Sequence, residues 1–161
     1  MAQAGGRTFL VANVYPLGDT PLGRSQGPQA VHALNVATAQ FNHRLALAED
    51  RLERTLGITI IRLDVAGFVS EATDHPTEFG FQNVTGQALD APFGQSGPVA
   101  PNPDQYLWWD QLHLTGAANR MVGDLAAVAV EQRCAPEDSR TPAELDVDQG
   151  WDALEVIAGL A

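Results

Sequence analysis

Two short runs of β-forming residues, TFLVANV (8–14) and ITIIRLDV (58–65), flank one long helical pattern, and this arrangement restricts the fold more than any other feature. Each run is apolar at consecutive rather than alternate positions, which predicts strands covered on both faces. Between them Val31, Leu34, Thr38, Phe41, Leu45, Ala48, Leu52 and Leu56 recur at steps of three and four, so residues 29–56 read as an amphipathic helix with those side chains inward. Gly57 stands where such a helix would stop in a left-handed residue. Strand, helix and strand in this order make a parallel crossover unit. A two-stranded sheet is not independently stable. The expected fold class is therefore α/β with a parallel sheet, completed either by N-terminal strands missing from these residues or by a partner.

Around this unit the chain is less patterned. PLGDTPLGRSQGP (16–28), dense in proline and glycine, reads as a long surface loop, and residues 67–103 read as irregular, with one helical turn at FVSEA. A second helix is expected from Thr115, whose hydroxyl can cap it, through Met121, Val122, Leu125 and Val128 to about residue 131. The division expected is a domain over residues 1–134 and an acidic tail over 135–161, with a short helix from Trp151.

Charge narrows the partners. A formal net charge of -11, with only nine Lys and Arg residues among 161, argues against nucleic acid, whose affinity comes from cations neutralising phosphates. The same balance disfavours anionic membrane surfaces. No apolar run approaches membrane-spanning length, and the first residues carry neither the basic segment nor the apolar stretch of a secretory signal. Cys134, the single cysteine, allows no internal disulfide and no cysteine zinc site. His32, His43, His75 and His113 show no ligand spacing, and Asp64 and Asp74 do not supply it, so neither metal nor cofactor is expected.

The chemistry concentrates in WWDQLH (108–113). A carboxylate and an imidazole three residues apart, on a turn into a helix, bring Asp110 within reach of one ring nitrogen of His113. The other nitrogen is then free to take a proton. On spacing alone a second reading stands beside this one, in which Asp110 caps backbone amides and His113 packs against Trp108 and Trp109. Ser25, Ser70, Ser96 and Ser139, the only serines, sit in no nucleophile-elbow pattern.

LWWDQLHLTGAANRMVGDLA (107–126) resembles the last block of the GDSL or SGNH serine esterases and lipases, an aromatic-Trp-Asp followed by His and the final helix. FLVANVYPLGDTP is similar to that family's strand and Pro-Leu-Gly-x-Thr-Pro turn, and FNHRL to its Asn-x-x-Leu. RLDVAGFVSEATDHPTEFGFQNVT resembles its Asp-containing strand, helical turn and Pro-x-x-Tyr-Gly-Phe-x-Asn. Leu114 departs from the usual proline, and Phe79 from the usual tyrosine.

The resemblance implies a partial three-layer α/β/α domain of flavodoxin-like type, the C-terminal half of such a hydrolase. Asp110 matches the triad acid, His113 the general base and Thr115 the threonine opening the last helix. The Gly-Asp-Ser-Leu block and the oxyanion glycine and asparagine blocks precede the strand at Phe9 in the family and have no counterpart here; Gly18-Asp19-Thr20 lies in the later turn and is not the nucleophile. An ester hydrolase of Ser-His-Asp type is implied, with this chain supplying the Asp and the His, inactive alone, and acting on a small-molecule or lipid ester. Trp108, Trp109, Phe79 and Phe81 are candidates for an acyl pocket. The expected protein partners are an N-terminal half-chain or a second copy paired through the sheet edge. The competing expectation is a non-catalytic degenerate hydrolase fragment serving as an interaction module. Relatives of this kind are often secreted.

Overall fold

The structure, a computed structural model, describes residues 1–134, with Cys134 by its backbone alone. The expected tail of 135–161 and its helix from Trp151 lie outside the described residues. In chain order the elements are β1 (Thr8–Ala12), α1 (Pro21–Ser25), α2 (Pro28–Leu56), β2 (Thr59–Leu63), α3 (Val65–Asp74), β3 (Asn83–Gln87), β4 (Tyr106–Trp108) and α4 (Gly116–Cys134). β1 and β2 pair in parallel with Phe9 opposite Ile60, and β3 and β4 form a second parallel pair with Asn83 opposite Tyr106. The architecture is mixed α/β with two small open parallel sheets, consistent with part of a three-layer α/β/α hydrolase fold.

The β1–α2–β2 unit has the expected order, and α2 ends in Gly57 at φ 58°. Its faces are not as expected. β1 is not covered on both sides: Leu10 is 45% exposed, because β2 is its only strand neighbour among the described residues. Only part of the predicted apolar stripe of α2 is covered: Thr38 is buried and Val31, Leu34 and Leu45 are half-buried, while Phe41, Leu52 and Leu56 are exposed. A polar row points inward instead. Asn42 clamps both backbone groups of Val14, Asn35 accepts from the Gly18 amide, and Glu53 accepts from the Ile60 amide. Buried Glu49 pairs with Arg62 of β2 at 2.8 Å, and Asp50 adds a further contact to the same guanidinium. A buried polar group is tolerable only when paired. These bonds turn the polar row, rather than the second half of the apolar stripe, toward the strands.

Leu63, Val65, Phe68, Val69, Phe79, Phe81, Leu107, Trp108, Leu114, Ala118 and Leu125 form one buried cluster that joins β2, α3, β4 and α4. α3 replaces the single turn expected at FVSEA: Asp64 caps it by accepting from the Gly67 amide at 2.9 Å, and Phe68, Val69 and Ala72 are fully buried beneath it. The proline-rich segment after β1 is likewise not wholly irregular, because Thr20 caps α1 through the Gly23 amide at 3.0 Å. α4 begins where expected. Thr115 accepts from the Ala118 amide at 3.2 Å and donates its hydroxyl to the Tyr106 carbonyl at 2.8 Å.

Candidate active site

The turn between β4 and α4 is built from the core outward. Trp108 is wholly buried, and its indole N–H donates to the Val84 carbonyl at 2.9 Å, anchoring the end of β4 against β3. The turn is then tied shut: the Trp109 amide donates to the His113 carbonyl at 2.7 Å, and the Thr115 amide donates to the Leu107 carbonyl at 3.0 Å. Two distant segments hold its outer side. The Leu22 amide of α1 donates to the Gln111 carbonyl at 2.9 Å, and the Tyr15 hydroxyl donates to the Leu112 carbonyl at 2.8 Å. Tyr15 also packs edge-on against Trp108, with ring centroids 5.4 Å apart.

Asp110 sits at the centre of this turn and uses both oxygens. Oδ1 accepts from the Leu112 and His113 amides at 2.8 and 2.7 Å, while Oδ2 lies 2.8 Å from His113 Nδ1. The two readings of Asp110-x-x-His113 are thus not alternatives, because the same carboxylate caps the backbone and orients the ring. An ionised carboxylate only accepts, so Nδ1 carries the proton and Nε2 keeps a lone pair in the neutral ring. The His113 side chain is 60% exposed against 13% for Asp110. The His113 ring stacks on Phe93, with centroids 5.7 Å apart and planes inclined at 21°.

Burial of Asp110 acts to raise its carboxyl pKa, but the hydrogen bonds from the His113 amide and ring and from the Leu112 amide outweigh it. The net effect holds the group below the ordinary carboxylate range. The Tyr15 phenol is pushed up, first by its own burial and then by the negative charge of Asp110, so it stays a protonated donor to the turn. A charged acceptor at Nδ1 beside an exposed ring is the arrangement that general-base chemistry uses.

The other candidates fall elsewhere. Trp108 is 0%, Phe81 1% and Phe79 5% exposed, and Phe79 meets Phe68 edge-on at 5.8 Å, so all three lie buried in the core. Trp109 is half-buried beside the pair. A surface cleft lined by Val14, Pro16, Asn35, Asn42 and Ala66 contains none of these aromatics. Ser25 donates to the Leu22 carbonyl in α1, Ser70 lies within α3, and Ser139 lies outside the described residues. Among the described residues no serine hydroxyl is hydrogen-bonded to His113. Tyr15, Leu22 and Phe93 were not singled out from the sequence. The one signal for Phe93 was a large apolar residue isolated between Pro92 and Gly94 in a polar loop.

No model of a protein family matches the chain. Individual proteins do. A GDSL esterase/lipase of Arabidopsis thaliana is 26% identical over 135 residues, covering 76% of this chain and 38% of its own length. Another GDSL esterase/lipase of the same plant is 32% identical over 133 residues, covering 74% of this chain and 35% of itself. An anther-specific proline-rich protein, also of Arabidopsis thaliana, is 27% identical over 128 residues, covering 73% and 24% respectively. The chain thus spans between about a quarter and two fifths of the length of these curated relatives.

Proposed function

This chain is related to the GDSL esterases/lipases through about three quarters of its length, and from that premise we propose that it supplies the acid and base of a Ser-His-Asp ester hydrolase. His113 Nε2 takes the proton of a serine hydroxyl as its oxygen attacks the ester carbonyl, and returns it to the departing alkoxide. The same nitrogen then activates the water that frees the acyl group. Asp110 holds the ring and stabilises the imidazolium. The serine and the oxyanion donors are assigned to polypeptide outside this sequence. Residues 1–134 are assigned to the hydrolase domain and 135–161 to a separate acidic tail. The substrate class is a small-molecule or lipid ester.

The observation that carries this reading is the 2.8 Å contact between Asp110 Oδ2 and His113 Nδ1, with the rest of the His113 ring exposed. The test is p-nitrophenyl ester hydrolysis by the chain alone, and by the chain mixed with a polypeptide carrying the Gly-Asp-Ser block of the same hydrolase. The expected result is hydrolysis only in the mixture, lost in His113→Ala. Hydrolysis by the chain alone that His113→Ala abolishes would move the nucleophile into these residues. No hydrolysis by a folded mixture sinks the enzymatic reading.

A second reading rests on a separate observation, the uncovered Leu10 of β1 and the exposed Phe41, Leu52 and Leu56 of α2. An open strand edge beside apolar surface binds other chains. In that reading the chain is a non-catalytic interaction module. A folded mixture that forms a stable complex without hydrolysing ester is its distinguishing outcome.

A further inference from the structure

Phe93, beside the acid-base pair, is 52% exposed. An exposed apolar residue is ordinary in itself. Its setting is less so. The loop carrying it is closed at its neck, where the Asp90 amide donates to the Pro98 carbonyl at 2.8 Å and Leu89 bridges Val99. The Gln87 side-chain amide donates to the Leu89 and Ala91 carbonyls at 2.7 and 2.9 Å, bracing the ascending limb. At the tip the Gln95 amide donates to the Pro92 carbonyl at 3.0 Å across Phe93 and Gly94, with Gly94 at φ 75°. A positive φ at the third residue is the mark of a type II turn, which places Phe93 at its second position. The loop is also tied to the pair's own turn, since the Leu89 amide donates to the Trp109 carbonyl at 2.7 Å. Phe93 is therefore delivered to His113 by a braced structure.

The single bond to Asp110 fixes one nitrogen of His113 but leaves the ring free to tilt about that bond. A second contact on the ring face removes this freedom. Phe93 provides it, at 5.7 Å and 21°, within the range of offset-stacked aromatic pairs. We propose that Phe93 is a positioning residue that sets the plane of the His113 imidazole, so that Nε2 points in one direction while Asp110 fixes the tautomer. Its bearing on catalysis rests on the ester-hydrolase reading above, but the positioning itself does not.

The test therefore has an arm that needs no substrate. In proton NMR of the full chain, the His113 ring protons of the wild type are displaced upfield by the Phe93 ring current. In Phe93→Ala this displacement is lost while the Trp108 indole N–H resonance stays in place, and in Phe93→Tyr it is retained. Nitrogen-15 shifts of the ring report the tautomer, which Phe93→Ala leaves unchanged and Asp110→Asn inverts. His113 protons that show no displacement in the wild type, or the same displacement in Phe93→Ala, overturn the proposal. In the reconstituted hydrolase, Phe93→Ala lowers kcat roughly 2- to 10-fold at unchanged KM, the loss of one aromatic contact, and Phe93→Tyr restores it. A raised KM at unchanged kcat assigns Phe93 to substrate binding and overturns positioning. If the NMR result holds while no mixture hydrolyses ester, the stack stands and the hydrolase reading fails.

Discussion

Removing the Asp110 side chain tests whether one carboxylate really holds the turn and the ring together. In Asp110→Ala the Leu112 and His113 amides lose their acceptor, and both bonds are part-buried. Leaving a buried donor unmet costs about 1–3 kcal/mol, and partial access to water places each amide near the lower end. The bond to the His113 ring adds little, because that side chain is 60% exposed. The expected loss is about 2–3 kcal/mol at neutral pH. Asp110→Asn retains a carbonyl oxygen for the two amides, so it should cost about 1 kcal/mol or less. It must then turn its NH2 toward Nδ1, which drives the ring proton to Nε2 and removes the free base. Urea unfolding followed by tryptophan fluorescence measures all three proteins. The pH dependence carries a sign as well. The Asp110 carboxyl is held below its ordinary range, so its contribution is complete above the unfolded value, about 3.9. That contribution disappears as pH falls through the lower folded-state value. The gap between wild type and Asp110→Asn should close in that acid window. Equal stability of wild type and Asp110→Ala at neutral pH, or a gap that persists through the acid window, refutes the reasoning.

Other perturbations separate core, cap and surface. Thr115→Ala removes the cap of α4 and the bond to Tyr106; a loss of about 1–2 kcal/mol by urea unfolding is expected. Trp108→Ala empties a fully buried site and strands the Val84 carbonyl; it should cost about 3–5 kcal/mol by chemical denaturation followed by circular dichroism. Phe41→Ser lies on the stripe that hydrophobic periodicity turns inward, yet Phe41 is 53% exposed. Its effect on the stability of this chain should stay within about 0.5 kcal/mol, and a loss of core size would restore the periodicity-based orientation of α2.

How much of this was legible in the residues depends on the range over which each partner acts. α2 was readable almost to its ends because three-and-four periodicity and a terminal glycine are local signals, and the parallel β1/β2 pair followed from connectivity. The inward polar row of α2 was not readable. It is set by Asn35, Asn42, Glu49 and Glu53 finding backbone and Arg62 partners that become neighbours only after folding. β3 and β4 were missed because five and three residues are too short for a period. α3 is longer than the single turn read at FVSEA because Asp64, ahead of it, caps the Gly67 amide. Within the site, Asp110 and His113 lie three residues apart and announce their own contact. Tyr15 reaches Leu112 across 97 positions, and nothing in a single sequence pairs them.

In the proposed hydrolase the same contrast decides what the chain would bring to catalysis. The acid-base pair is oriented by a turn whose bonds close on themselves, by core anchors at Trp108 and Thr115, and by braces from Tyr15, Leu22 and the Phe93 loop. None of these supports requires a nucleophile. Neither do they use the exposed Leu10 of β1 or the exposed Phe41, Leu52 and Leu56 of α2. A polypeptide docking on the β1 side could therefore supply a serine without building the base, provided that its nucleophile reaches a nitrogen already aimed. On this argument reconstitution should follow the strength of docking, while His113 geometry stays the same in the free and the complexed chain.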